Sequence, residues 1–220
     1  MERVAFKQNP PAPMNSALLS TTYFGPVQWY QKLYHYDNVV IDQYESFQKQ
    51  TYRNRCRIAT TQGVQALTVP VVHDADNSIC NIRISDHGNW RHLHWQALQS
   101  AYGDSPFFEY YEDDVRPFFS ERNWDLLMDY NEAICQKMCE LLDIQPNKVQ
   151  SSEFRVQSSC DQELNLSDFR QVINPKHPLP DTDFQPRTYY QVYQQKHGFL
   201  PNLSILDLLF NMGPESIFYL

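Results

Sequence analysis

Residues 16–42 read SALLSTTYFGPVQWYQKLYHYDNVVID, and this stretch decides the fold class. It opens on a short apolar and β-branched segment, 16–22, which reads as a strand. Pro26 then stands where its fixed φ and missing N–H suit the first turn of a helix running to about Tyr36. After the helix, Val39, Val40 and Ile41 lie between Asn38 and Asp42. An apolar run with polar ends reads as a strand buried on both faces, as parallel strands are. Strand, loop, helix and buried strand make a βαβ unit. The chain is therefore expected to be an α/β protein whose small, mainly parallel sheet opens with this unit.

Working outward, strands are expected at 55–60, 65–72 and 82–85. Thr61, Gln62 and Gly63 form the turn between the first two, giving an antiparallel hairpin extension. A helix follows over 89–101, with Asp86 or Asn89 as its cap. Ser105 and Pro106 read as N-cap and first-turn proline of an aromatic helix, 107–119, ended or kinked at Pro117. Trp124, Leu127, Met128, Ile134, Met138, Leu141 and Leu142 recur at three- and four-residue steps, which predicts an amphipathic helix of about five turns. Residues 145–183 suggest a short strand, a short helix over 166–173 and a proline-punctuated loop over 174–186. Ser204 and Asp207 have capping-box spacing ahead of Leu208, Leu209 and Phe210, Gly213-Pro214 is a stop signal, and 216–220 reads as a last strand. The middle and C-terminal parts are thus mostly helical.

The chain has 220 residues, 42% hydrophobic and 20% charged, and its mean hydropathy is -0.58. These values predict one globular domain over 16–220, preceded by a flexible lead-in at 1–15 that carries three prolines. No apolar run approaches the roughly 18 residues that span a bilayer, so membrane insertion is not expected. With 18 Lys and Arg against 26 Asp and Glu the net charge is -8, which disfavours nucleic acid as a partner. Five scattered cysteines, an odd number, do not suggest a disulfide framework and point to the cytoplasm. The motifs GxxxxGK[ST], GxGxxG, GxSxG, HExxH and CxxC are all missing, and there are six glycines in all. Walker-type ATPases and ordinary Rossmann dehydrogenases are thereby disfavoured.

Within this acidic chain, Lys49-Gln-Thr-Tyr-Arg53-Asn54-Arg55-Cys-Arg57 carries four basic residues and no acid. If 53–57 is extended, its period of two places Arg53, Arg55 and Arg57 on one face, spaced to clamp a phosphate with bidentate guanidinium contacts. The alternative is a solvated edge strand whose arginines deter aggregation. The segment 86–95 gathers three of the seven histidines and two of the four tryptophans. His87 or His92 is the candidate acid or base there, beside Arg91, while structural capping is the rival reading. No metal is assigned, because His92 and His94 diverge on a helix and no complementary ligand spacing accompanies them. Glu109, Asp113 and Asp114 read as a solvated face and the aromatics of 107–119 as core. Cys135 and Cys139 share a helix face and read as buried packing. His197 and Asn202 precede the capped C-terminal helix, whose positive N-terminus suits an anion.

The segments TYFGPVQWYQKL, QKQTYRNRCRI, ISDHGNWRHLHW, SPFFEYYEDDVRPFF and FLPNLSILDLLFNMGPE together resemble the WbqC-like family, in particular its Bacteroidetes-type members, from about Ser16 to Leu220. That resemblance implies an association with surface polysaccharide and O-antigen assembly, with no reaction transferable residue by residue. Thr21 and Thr22 stand where more typical members have Gln-Pro, and Trp29 where they have glycine. The opening unit also looks loosely like that of HIGH-type nucleotidyltransferases, with Gln28 in place of their paired histidines.

The expectation that follows is a group-transfer enzyme acting on a nucleotide-activated or phosphorylated sugar-type small molecule. Lys49, Arg53, Asn54, Arg55 and Arg57 would hold phosphate, and Tyr23, Gln28, Trp29 and Tyr30 would wall a base or sugar. His87, Arg91 and His92 would carry the chemistry, with His197 and Asn202 as further contacts. The alternative is a non-catalytic scaffold of envelope assembly that binds through the aromatics of 107–119. The sequence names no cofactor and no oligomeric state.

Overall fold

The computed structural model describes residues 15–72, 76–149 and 165–220. The expected lead-in falls outside these residues except for Asn15, which begins β1 (Asn15–Leu19). The opening unit is as the sequence predicts. Pro26 is the N-cap of α1 (Val27–His35) rather than its first residue, and β2 (Asn38–Ile41) is buried at every position. β1 and β2 pair in parallel with Leu18 opposite Val40. On its other side β1 pairs in parallel with β8 (Asn165–Asp168), and β2 pairs in parallel with β7 (Lys148–Val149). The sheet order is β7-β2-β1-β8. β1 is thus flanked by strands reached in opposite directions, and the loops after β1, β2 and β8 meet at the carboxyl edge.

Pro26 offers α1 no side-chain cap. Its first two N–H groups are taken from afar instead: Val27 N donates to the Leu203 carbonyl at 3.0 Å, and Gln28 N to Asn202 Oδ1 at 3.0 Å. This satisfies donors that a helix start otherwise leaves unpaired.

β3 (Arg55–Thr60) and β4 (Gly63–Thr68) form the expected hairpin. Gly63 closes its turn at φ 104, a conformation open to glycine at little cost. The hairpin is a separate two-stranded sheet, not a ladder on the parallel one. The strand expected over 65–72 breaks before β5 (Val71–Val72), which pairs with β6 (Arg83–Ile84). Pro70, with no N–H to donate, stands in the break.

A short 3-10 turn, His87–Asn89, leads into α2 (Trp90–Tyr102). Neither expected cap forms. The Asp86 carboxylate is drawn to Arg91, and Asn89 adopts φ 48 without a side-chain cap bond. The aromatic helix divides where Pro117 predicts, into α3 (Phe108–Val115) and α4 (Pro117–Ser120). Ser105 does not cap it, since its hydroxyl donates back to the Tyr102 carbonyl at 2.6 Å. α5 (Leu127–Leu141) buries Leu127, Tyr130, Asn131, Ile134, Cys135, Met138 and Cys139 along one side.

Two expectations near the end fail for tertiary reasons. Residues 165–168 are strand β8 rather than the start of a helix, because the open edge of β1 takes their backbone. The tail Gly213–Tyr219 is a 3-10 helix rather than a strand, held by the Ser216 hydroxyl on the Gly213 carbonyl at 2.6 Å. Between them lie α6 (Gln194–His197) and α7 (Ile205–Met212). Ser204 caps α7, its Oγ accepting from Leu206 N at 3.3 Å. Asp207 does not complete a capping box, because its carboxylate turns into the core. Phe108, Tyr111, Phe118 and Phe119 join Tyr23, Phe24, Trp29 and Tyr30 in one buried cluster.

Candidate functional site

The arginine stretch divides into two parts with different neighbours. Arg53 precedes β3, is buried, and spends its guanidinium internally: Nε donates to Glu45 at 2.8 Å, and Nη2 donates to Glu45 at 2.5 Å and to Ser20 Oγ at 2.8 Å. Asn54 is likewise committed, its Nδ2 donating to the Val69 carbonyl at 2.8 Å. The alternation of β3 then sends Cys56 and Ile58 into the core and leaves Arg55 and Arg57 half-buried on the opposite face. Arg55 Nε donates to Thr68 Oγ1 at 2.9 Å. Arg57 lies beside Tyr52, whose hydroxyl is pushed up by burial and pulled down by that guanidinium. Among the described residues no carboxylate forms an ion pair with Arg55 or Arg57. The expected three-arginine face is therefore a pair, because the strand begins at 55 and Glu45 neutralises Arg53. Lys49 is exposed in the turn before it.

The histidine segment is also sorted by burial. His87 and His92 are exposed. Arg91 is mostly buried, bonded to Asp86 and stacked on Trp90 with its guanidinium carbon 4.5 Å from the ring centre. Its Nε is buried without a partner. Arg91, His92 and Arg122 line a recess of about 170 Å³ floored by Trp90 and Phe119.

The histidine that the structure ties to the arginine strand is His94. Its Nδ1 lies 2.9 Å from the Tyr23 hydroxyl, and a second hydrogen bond goes to the backbone of Thr68. Thr68 thus holds Arg55 by its hydroxyl and His94 by its backbone, joining β3 to the start of α2. A helical period of 3.6 places Trp90, His94, Leu98 and Ala101 on one buried face, and that period is the sequence signal that marks His94.

Burial lowers His94 to about 4 from an ordinary 6.5. The unfolded chain therefore takes up this proton first, so stability is lost as pH falls from about 6.5 to about 4 and is unaffected above that window. The full loss corresponds to about 3 kcal/mol. His94→Gln, measured by denaturant midpoint at both ends of the window, is expected to show a shallower fall than the parent chain.

At the carboxyl edge of the sheet, Ser20, Thr21, Thr22, Trp29, Tyr52 and Arg170 surround a crevice of about 10 Å³. Open α/β sheets bind ligands at such a switch point, but here the edge is closed and acidic. Arg170 bridges Asp42 at 2.6 Å and Asp168 at 2.6 Å, and with the Arg53–Glu45 pair this sets three carboxylates against two guanidiniums. The edge does not suit a bare anion.

The remaining sequence candidates are structural in this arrangement. Tyr23 and Tyr30 are fully buried and Trp29 nearly so, so they form core rather than an open wall. Gln28 donates to Asp181 Oδ2 at 2.7 Å and accepts from Asn202 at 2.9 Å. Asn202 in turn caps α1. His197 Nε2 lies 3.2 Å from the Thr61 carbonyl at the hairpin tip, about 20 Å along the strand from Arg55 at ~3.3 Å per residue. Arg55, Arg57 and His197 line neither the Arg91–His92 recess nor the crevice at the carboxyl edge. Among the described residues no group of three or more His, Cys, Asp or Glu side chains is arranged to hold a metal ion, and no helix is long and apolar enough to cross a membrane.

Comparison with known proteins adds the family. The WbqC-like protein family matches the chain over residues 21–177 and 180–219. The chain is 27% identical over 230 residues to "Uncharacterized protein Rv1507c" of Mycobacterium tuberculosis, covering 93% of this chain and 96% of that protein. No solved structure matches it.

Proposed function

Since the chain belongs to the WbqC-like protein family, we propose that it is a cytoplasmic group-transfer enzyme acting on a nucleotide-activated or phosphorylated sugar-type substrate in surface polysaccharide biosynthesis, and that it groups with the Bacteroidetes-type members. The observation that carries the reading is the pair Arg55 and Arg57: two half-buried guanidiniums on one strand face, without an acid partner among the described residues, in a chain of net charge -8. Arginines placed so are suited to bidentate contacts with phosphate oxygens. The pathway comes from the family's association with surface polysaccharide genes. His92 or His87 acts as acid or base at the solvent-facing start of α2, and Arg91 beside them steadies developing charge. The scaffold alternative is not favoured, because four of its aromatics, Phe108, Tyr111, Phe118 and Phe119, are buried, and Tyr110 is the exposed one at 73%.

Calorimetry with a panel of nucleoside diphosphates and their sugar conjugates tests this. At least one is expected to bind, and Arg55→Ala and Arg57→Ala each to weaken it about 10- to 100-fold, the value of a charge-assisted hydrogen bond. No heat with any member, or unchanged affinity in both variants, contradicts the reading.

A further inference from the structure

We infer that a cavity at the amino edge of the parallel sheet is a binding site for a neutral, hydroxyl-rich ring of the saccharide class, independent of the role given to Arg55 and Arg57. The cavity measures about 610 Å³, within the roughly 300–1,000 Å³ of small-molecule sites. It lies where β1 begins, between the last turn of α1, the 182–187 loop and the tail at Tyr219. Long-range bonds from α1 fix its walls. Lys32 holds Asp181 at 2.9 Å, and Gln31 Nε2 donates to the Asp183 carbonyl at 3.0 Å. Just beyond the helix, the Tyr36 hydroxyl donates to Asp183 Oδ2 at 2.9 Å. Arg187 ties the far end of the loop to the tail by donating to the Phe218 carbonyl. A site shaped before its ligand arrives loses less binding free energy to ordering.

The lining combines acceptors, donors and aromatic rings, and that combination selects the ligand. Gln31 lines the cavity at 8% exposure. With Nε2 fixed on the Asp183 carbonyl, its Oε1 is buried and has no partner among the described residues. An unpaired buried acceptor costs about 1–3 kcal/mol, and a ligand O–H brought into the cavity removes that cost. Asp183 is a second acceptor, an exposed carboxylate whose lone pairs exceed what the Tyr36 and Thr182 hydroxyls take up. Arg187 is exposed, and its guanidinium carries N–H donors beyond the one given to Phe218. A bare anion would meet two acceptors here, and a cation would meet Arg187. Hydroxyl groups both donate and accept, so a neutral polyol satisfies the whole set. The half-buried rings of Tyr36, Phe184 and Tyr219 line the same cavity. They offer apolar surface to the C–H face of a sugar ring, in keeping with ligand sites that join aromatic walls to a few convergent polar groups.

The test is a saturation-transfer NMR titration of the full-length chain with neutral methyl glycosides of hexoses and with neutral disaccharides, alongside a sugar acid and inorganic phosphate. At least one neutral glycoside is expected to bind. Gln31→Leu and Arg187→Ala should each weaken it about 2- to 10-fold, the value of one hydrogen bond. Arg116→Ala, which removes an exposed arginine between α3 and α4, should leave it unchanged. No binding by any neutral glycoside, affinity unchanged in both cavity variants, or tighter binding of phosphate or the sugar acid that is lost in Arg187→Ala overturns the assignment. Should Gln31→Leu fail to fold, Arg187→Ala decides alone, since its side chain is exposed: weakened binding supports the site and unchanged binding overturns it. None of these probes carries a nucleotide, so failure here leaves the role of Arg55 and Arg57 standing, and failure of the nucleoside diphosphate panel leaves this site standing.

Discussion

Asp207→Ala is expected to destabilise the protein by about 3–5 kcal/mol, enough to remove much of the stability of an ordinary domain. Asp207 is fully buried in the first turn of α7. Its carboxylate accepts from the Tyr102 hydroxyl at 2.9 Å, the Tyr189 hydroxyl at 2.7 Å and Gln191 Nε2 at 2.8 Å. Burial raises its pKa, and those three donors pull against that rise. Removing the carboxylate strands three interior donors at once, each worth about 1–3 kcal/mol unsatisfied, partly offset by relief of the charge's own desolvation. Tyr102 also accepts from Ala59 N in β3 at 3.2 Å, so the loss spreads to the strand that carries Arg55 and Arg57. Asp207→Asn keeps an acceptor and should cost less. Denaturant midpoints of the two variants check the order, and equal costs would show that the carboxylate is not the hub.

Lys32→Met should cost a comparable amount, about 3–5 kcal/mol, because it leaves a buried carboxylate without its cation. Lys32 is fully buried on α1 and reaches Asp181 at 2.9 Å. Its ammonium also lies 4.4 Å from the Phe169 ring centre, so methionine preserves the packing while removing the charge. The double variant Lys32→Met/Asp181→Asn is expected to recover part of the loss, since the uncompensated charge is then gone. Strictly additive costs in the double-mutant cycle would mean the pair does not interact energetically. This pair, with Gln28 and Asn202, pins the 174–186 loop and the entry to α7 onto α1.

How far the sequence can be read follows from where each constraint lies. The βαβ opening is legible because its signals are local: Pro26 before the helix, and an apolar triplet bounded by Asn38 and Asp42. The hairpin is legible through Gly63. Strand β8 is not, because residues 165–168 become a strand only by pairing with β1, some 150 residues earlier. The arginine face is half legible. Spacing by two predicts a shared face for Arg55 and Arg57, but nothing in 49–57 shows that Arg53 turns to Glu45. Proximity in sequence favours His87 and His92, whereas His94 stands out only through the helical period that buries it. The function of Asn202 as a remote cap on α1, accepting from Gln28 N, rests on a contact 174 residues long, which no local pattern carries.

Arg55 and Arg57 are assigned the phosphate of an activated substrate, and a crystal structure with a nucleoside diphosphate sugar tests that role most directly. The predicted result is a phosphoryl oxygen within hydrogen-bonding distance, about 2.7–2.9 Å, of both guanidiniums. A phosphate bound only in the recess of Arg91 and Arg122, or at the carboxyl edge beside Arg170, with Arg55 and Arg57 facing water, would contradict it.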